Sequence, residues 1–311
     1  MKTLQESVCE YVQLRQSLGY KFVGEAIVLR EFARYMAQQR EAHVTTAAAL
    51  RFALLRPLTK SSTQSIRYGV VSRFAIYHRL HDDPLTEQPP PKLIPRGTQR
   101  ARPCFYSDAE ILRLLEAAKH YHSKKALLPA SYYCLFGLLV VTGMRVGEAL
   151  GLEDRDIDEE NAVLTIRGAK FGKDRLVPLH ASTMECLRAY QKTRDDLVTE
   201  SNHRSAKLFL TSRGTALSYR RVYHVYRRMR LAAGLDLSIS SRLHDLRHRF
   251  AVETLLRWYR QGEPVDRRLP VLATYLGHAS MAGTYWYLSC TPALMAAAAT
   301  RVDQRWEGGR P

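Results

Sequence analysis

The stretch GHASMAGTYWYLS, Gly277 to Ser289, carries one histidine and three aromatic residues, Tyr285, Trp286 and Tyr287. Its reading decides what the chain does with the rest of its polar residues. On a continuous α-helix, Tyr285 lies close to two turns beyond His278 and shares its face. Tyr287 then falls on the opposite face. Gly277 and Gly283 argue against an unbroken helix, because glycine favours turns and caps. Spacing alone therefore leaves the tyrosine facing His278 open.

Three other stretches set strong polar groups beside apolar helical patterns. VTGMRVGEALGL, Val141 to Leu152, holds Arg145 and Glu148. GAKFGKDR, Gly168 to Arg175, holds Lys170, Lys173 and Arg175. LHDLRHRFA, Leu243 to Ala251, holds His244, Arg247 and His248. His244 and Arg247 are three apart and share a helix face. Taken singly, each has an ordinary explanation as a surface arginine, a solvated turn lysine or a capping pair.

Together they suit one chemistry. Attack on a phosphodiester builds a dianionic, five-coordinate phosphorus. Guanidinium groups are planar, always charged, and grip two oxygens each. Donors fixed where charge develops are worth several kcal/mol. A tyrosine oxygen can attack if a neighbour takes its proton, and the leaving sugar oxygen needs an acid such as Lys or His. No CxxC or zinc-spaced group accompanies these residues.

Around these stretches the chain divides. Residues 4–80 read as four helices. Leu4, Val8, Tyr11, Val12, Leu14 and Leu18 mark the first, with Gly19 as its stop. Ile27, Leu29, Phe32 and Met36 mark the second. Thr45 or Thr46 is expected to cap the third. Ser61 or Ser62 is expected to cap the fourth, whose polar face would carry Arg67, Arg73 and Arg79. Five prolines between Pro84 and Pro95 then predict an extended linker. The expected division is a helical domain over residues 1–88, a linker over 89–103, and a second domain over 104–311. The second domain opens with a capping box, Ser107 and Glu110. Its apolar helix ends at Thr142-Gly143. Val163–Ile166 and Arg175–Leu179 predict a β-hairpin, and helices resume almost to the end. The fold class is thus mainly α with a small β-sheet.

The 311 residues carry 47 Lys and Arg against 30 Asp and Glu, a formal charge of +17. Both halves are basic. A polyanion is the natural partner, and nucleic acid is the commonest. Cys9, Cys104, Cys134, Cys186 and Cys290 are scattered, which suggests a reducing cytoplasm. The N-terminus has no signal-peptide pattern, and no apolar run is long enough to span a membrane.

The motifs resemble those of the tyrosine recombinases of the phage-integrase and Xer type. Thr142 to Glu148 matches T-G-x-R-x-x-E. Lys173 to Leu179 matches K-x-R-L-V-P-L. His244 to His248 matches H-x-L-R-H, and Leu276 to His278 matches L-G-H. The resemblance implies a SAM-like core-binding domain followed by a mixed α/β catalytic domain. It makes Arg145 and Arg247 the phosphate-binding arginines, with Glu148 bracing the site. Lys170 is the hairpin lysine, Lys173 its alternative and a DNA contact. His244 is the acid/base residue and His278 a hydrogen-bond donor to the phosphate. The family spacing from that histidine selects Tyr287 as nucleophile, against the choice of a straight helix. Two departures stand out. Arg249 replaces a small hydroxyl residue, and the segment around WYRQGEPVDRRLP is long and basic.

The resemblance further implies double-stranded recombination sites as partners, a homotetramer on paired sites, and accessory DNA-binding proteins. No metal or cofactor is required, and a prokaryotic nucleoid is the expected location. SYRRVYHVYRRMR, Ser218 to Arg230, is expected to face DNA through Arg220, Arg221, Arg227 and Arg228. A last helix from Pro292 to Trp306 is expected either to dock on a neighbouring protomer or to pack on its own domain. The rival readings are a type IB topoisomerase and a DNA-binding regulator without catalysis.

Overall fold

The computed structural model describes residues 2–55, 60–95, 97, 103–123, 126–168, 174–198, 204–238, 240–289 and 291–307, the last four by backbone alone. Lys170 and Lys173 lie outside the described residues, as does Cys290. The chain forms two compact units, Met1–Ala101 and Arg102–Pro311.

The first unit holds α1 (Leu4–Ser17), α2 (Val23–Gln39), α3 (Thr46–Leu54) and α4 (Ser61–His81). Val8, Tyr11, Leu29, Phe32, Phe52, Tyr68, Val71 and Phe74 fill its core, each at most 7% exposed. Thr45 caps α3, its hydroxyl accepting from the Ala48 N–H at 3.1 Å. Neither Ser61 nor Ser62 caps α4. The N-cap is Lys60, and Ser61 is already helical. Arg67 also departs from expectation. It is buried, its guanidinium 2.7 Å from the Glu31 carboxylate and 4.1 Å above the Phe52 ring, because a buried charge needs a partner. Arg73 and Arg79 stay exposed. Ile27, at an expected core position, is 52% exposed. The proline segment is anchored on this unit. Tyr68 Oη donates to the Pro90 carbonyl at 2.8 Å, Glu87 accepts from the Thr46 N–H at 2.7 Å, and Ile94 is buried in the core. The first unit thus reaches past residue 88.

The second unit holds α5 (Asp108–Lys119), α6 (Leu127–Thr142) and α7 (Val146–Gly151). A single 3-10 turn (Asp154–Asp156) leads to strands β1 (Ile157–Asp158), β2 (Val163–Ile166) and β3 (Arg175–Pro178). Helices α8 (Ala181–Leu197), α9 (Tyr219–Ala232), α10 (His244–Arg260), α11 (Val265–Leu276), α12 (Ala282–Leu288) and α13 (Pro292–Glu307) follow. The sheet is antiparallel in the order β1-β2-β3, with Val163 opposite Pro178 and Ile166 opposite Arg175. The Ser107–Glu110 capping box starts α5. α6 is apolar on all sides and correspondingly buried.

Two apolar cores meet along α10. Leu243 and Leu246 belong to the core built on α5, α6, β2, α8 and α9. Ala251, Val252, Leu255 and Leu256 belong to a second core with Leu269, Leu272, Tyr287 and Leu294. His244, Arg247 and His248 lie where α10 passes from one to the other. The basic segment after Trp258 is largely helical: it completes α10, turns at Gly262, and enters α11 at Val265. The C-terminal α13 packs on its own unit. Leu294 is fully buried, and the Arg301 guanidinium donates to the carbonyls of Glu263 and Gly262. No helix among the described residues is long and apolar enough to cross a membrane.

Candidate active site

The site is assembled from the ends of helices. α6 ends at Gly143, whose φ of +60° is the left-handed cap geometry that glycine adopts without strain. A β-carbon there would come within 2.5 Å of the Phe250 ring. Gly143 therefore lets α10 approach closely enough for Arg247 Nη1 to donate to its carbonyl at 2.9 Å. Arg247 Nη2 donates to the Leu276 carbonyl at the end of α11. Arg247 is 2% exposed. Burial and the nearby Arg145 lower its pKa to about 10, so it stays charged at neutral pH.

Arg145 precedes α7. Its Nη1 donates to Glu148 Oε1 at 2.7 Å and its Nη2 to the Gly277 carbonyl at 2.9 Å. The Glu148 carboxylate also accepts the Arg145 backbone N–H at 2.8 Å. On its other side Glu148 takes a two-pronged bond from Arg175, at 3.0 and 2.6 Å. Arg175 Nε donates to the Tyr275 carbonyl at 2.9 Å. The Glu148 carboxylate thus joins α7 to β3, and the Arg175 guanidinium joins β3 to the end of α11. Burial alone would raise the Glu148 pKa, but the bonds from Arg175 and Arg145 outweigh it and hold the value at about 2. Gly277 closes the arrangement. Its φ is +64°, and a β-carbon would sit 3.0 Å from Arg175.

His244 opens α10 and is exposed as a residue. Desolvation by the packed surroundings and the charge of Arg247 still lower its pKa to about 4. His278 follows Gly277. Its Nδ1 is 2.7 Å from the Thr284 hydroxyl, and desolvation with Arg247 and Arg145 lowers it to about 4. Both are neutral at pH 7. A phosphate among these cations would raise both values again.

The tyrosines separate clearly. α11 stops at Leu276, the chain turns through His278 to Met281, and α12 starts afresh at Ala282. Gly283 lies inside α12, so the break belongs to Gly277 and the turn after it. On α12, Thr284 and Tyr287 are three apart and both face inward. Tyr287 is 2% exposed and Tyr285 is 54% exposed. The Tyr287 ring stacks near His278, 6.1 Å between centroids at 20°. Its hydroxyl is 3.1 Å from His248 Nδ1.

Arg145, Glu148, His244, Arg247, His278 and Tyr287 are therefore brought together, with Arg175 and His248 beside them. Arg175 and His248 stand in the same motifs but carry no expected role from them. Three backbone carbonyls, Gly143, Leu276 and Gly277, aim the arginines and leave no mark in the sequence beyond two glycines. Arg249, the departure, is used structurally: its Nε donates to the Tyr106 carbonyl at 2.9 Å and it pairs with Asp108.

Arg220, Arg221, Arg227 and Arg228 are all exposed on α9, and Arg228 stands 5.5 Å over the Tyr121 ring. Arg230 turns inward to the Asp236 carbonyl. On the buried side, the Tyr226 hydroxyl lies 2.8 Å from both the Tyr106 hydroxyl and Ser241 Oγ. Burial pushes both phenols above their ordinary range, so they remain protonated. This cluster ties α9 to the turn that leads into His244. Among the described residues no group of His, Cys, Asp or Glu is arranged to hold a metal ion.

Residues 105–293 match the phage integrase family. The chain is 43% identical over 314 residues to a putative integrase/recombinase of Sinorhizobium fredii, y4rB, with 99% of each chain covered. It is 30% identical over 252 residues to the tyrosine recombinase XerA of Thermococcus kodakarensis, covering 78% of this chain and 77% of that one. Its fold is similar to that of the Tn1549 transposon integrase solved in complex with transposon right end DNA. That likeness has a TM-score of 0.68 at 16% identity and covers 97% of this chain and 99% of the other. With a family match over most of its second unit and a relative aligned along nearly its whole length, this chain belongs to the phage integrase family of tyrosine recombinases.

Proposed function

We propose that the chain is a site-specific DNA recombinase in which Tyr287 is the nucleophile, Arg145 and Arg247 bind the scissile phosphate, and His244 and His278 serve the proton and hydrogen-bond needs of the step. The observation that carries this reading is the Tyr287 hydroxyl. It is buried beside His248, with His278 stacked along its ring, next to two guanidinium groups already aimed by carbonyls.

The geometry suits an in-line displacement. Each guanidinium has five donors; the bonds to Gly143, Leu276, Gly277 and Glu148 use only some of them and leave others for phosphate oxygens. Because these side chains are fixed in advance, little reorganisation is needed as charge develops. The Tyr287 oxygen attacks phosphorus, the bond to the 5′ oxygen breaks, and a 3′-phosphotyrosine forms. Lys170, with Lys173 as alternative, or His244 gives the departing oxygen its proton. The base of that hairpin, Arg175, is bonded to Glu148. A 5′ hydroxyl from a partner strand then attacks the phosphotyrosine and reverses the chemistry. The linkage stores the bond energy, so neither ATP nor a metal is needed.

Double-stranded recombination sites are the substrate on this reading. Arg220, Arg221, Arg227 and Arg228 contact DNA from α9, and binding weakens with salt as counterions return. Four protomers on two sites exchange strands in pairs through a Holliday junction, with accessory proteins in some contexts. A prokaryotic nucleoid is the corresponding location.

The test uses a nicked suicide substrate carrying a candidate site. The wild-type chain traps a covalent adduct, and Tyr287→Phe binds the same DNA without forming one. Adduct from Tyr287→Phe, together with none from Tyr285→Phe, would reverse the assignment.

A further inference from the structure

Tyr287 and His248 belong to different helices and meet only through the fold. Their contact, 3.1 Å from Oη to Nδ1, is within reach for proton transfer. The two rings are inclined at 61° with centroids 5.6 Å apart, so the contact is made by the hydroxyl rather than by stacking. The imidazole is held in place. Trp286 meets it edge-on at 5.2 Å, His244 at 4.7 Å and 88°, and only 9% of the residue is exposed. The roles given above to Arg145, Arg247, His244 and His278 concern the phosphate and the leaving oxygen. His244, the acid/base residue of the resembled motif, is given the leaving oxygen there, while the Tyr287 hydroxyl itself contacts His248.

We propose that His248 is the base of strand cleavage: its Nδ1 takes the Tyr287 phenolic proton as Oη attacks phosphorus, and gives it back when the strand is rejoined. This rests on the assignment of Tyr287 as nucleophile. A phenol with an ordinary pKa of about 10 is ionised to about one part in a thousand at pH 7, so an adjacent base removes a large penalty.

The step balances. With its ring proton on Nε2, His248 offers the Nδ1 lone pair to the phenolic hydrogen. The freed electron pair of Oη forms the bond to phosphorus. The bond from phosphorus to the 5′ oxygen breaks, and that oxygen takes a proton from Lys170 or His244. The site then holds a phosphotyrosine and a His248 imidazolium. On rejoining, Tyr287 leaves and recovers its proton from His248, and the acid recovers its own from the attacking hydroxyl. Among the described residues, the charged and titratable groups facing this pair include His244 and Arg247 on α10 and His278 before α12, with Arg145 next to them.

Single-turnover adduct formation by the full-length chain tests it. His248→Asn keeps a polar acceptor near Nδ1 but removes the basic nitrogen; His248→Ala removes both. Each is expected to slow the adduct by about 10²- to 10³-fold, with site affinity and melting temperature near wild type. The Asn variant should become first order in hydroxide between about pH 7 and about pH 9, where wild type is flat. A substrate with bridging sulfur at the 5′ position needs no acid; it should rescue Lys170→Ala but not His248→Asn. Cleavage by His248→Asn within about threefold of wild type overturns the proposal. So does a pH profile merely displaced parallel to wild type, or rescue by sulfur. If Tyr287→Phe still forms adduct on the same DNA, the nucleophile assignment has failed instead.

Discussion

The second unit carries two sets of arginines that the same residue type serves in opposite ways. Arg145, Arg175 and Arg247 are fixed: every one is bonded to a backbone carbonyl, and two share the Glu148 carboxylate. Arg220, Arg221, Arg227 and Arg228 stand exposed along α9. The difference suits the two roles proposed for them. Stabilising a transition state needs donors whose direction is set beforehand. Holding a duplex needs charge and reach, and an exposed side chain supplies both.

The largest effect should come from disturbing direction while keeping charge. Arg247→Lys is expected to lower single-turnover cleavage by about 10²- to 10³-fold, since a compact ammonium lacks the planar fork that spans two carbonyls and a phosphate in fixed directions. Quench-flow on a suicide substrate measures it. Cleavage at the wild-type rate would mean that charge alone suffices and that the two sets are not different in kind.

Next comes the carboxylate. Glu148→Gln leaves Arg175, 9% exposed at its side chain, without its counter-charge. Such a loss costs about 3 kcal/mol, read by denaturant unfolding of the second unit. The sign in acid follows from the depressed pKa. Glu148 contributes stability that is complete above about pH 4.5 and is lost as pH falls toward about 2. The Gln variant should lack that part of the acid transition.

The exposed set should answer to salt instead. Arg220→Ala and Arg227→Ala are each expected to reduce the slope of log affinity against log salt by about 1, while cleavage at saturating DNA is unchanged. Titration at several salt concentrations gives the slope. An unaltered slope would remove α9 from the DNA interface.

A smaller effect links the pinned cations to protons. His244 and His278 titrate at about 4 beside the arginines, below the ordinary 6.5. Stability of the free chain should therefore fall as pH drops from 6.5 toward 4. Phosphate binding raises both values, so DNA binding should take up protons near pH 5.5 and tighten as pH falls. Calorimetry in two buffers of different ionisation enthalpy detects the uptake. Smallest of all, Tyr285→Phe should leave adduct formation unchanged, because that side chain points to solvent.

Much of the architecture was legible in local sequence, because local rules decide it. The Ser107–Glu110 box, the stop at Gly143 and the β2–β3 hairpin depend on a few neighbouring residues and appear where expected. Burial was less legible. Arg67 sits on a helix face that periodicity leaves polar, yet its pairing with Glu31 on another helix takes it into the interior. Ile27 fits the apolar spacing and is exposed. The proline segment has a linker's composition, but Tyr68 and the Thr46 N–H hold it to the bundle. For Arg67 and the proline segment, the deciding partner is distant in sequence.

The same division runs through the site. The sequence by itself determined the residue types, their order and the polyanion for which a charge of +17 is suited. It also placed Arg145, Glu148, His244, Arg247, His278 and Tyr287 in motifs that resemble one family. Only the tertiary structure decided which tyrosine faces inward, what aims the arginines, and that His248 meets the phenol. The reason is geometric. Helical spacing predicts a shared face only while the helix continues, and between His278 and Tyr287 it does not. Gly277 ends α11 in a left-handed cap, the chain turns, and α12 begins with a new phase. The orientation of Tyr287 is then fixed by packing against α10, not by its distance along the chain.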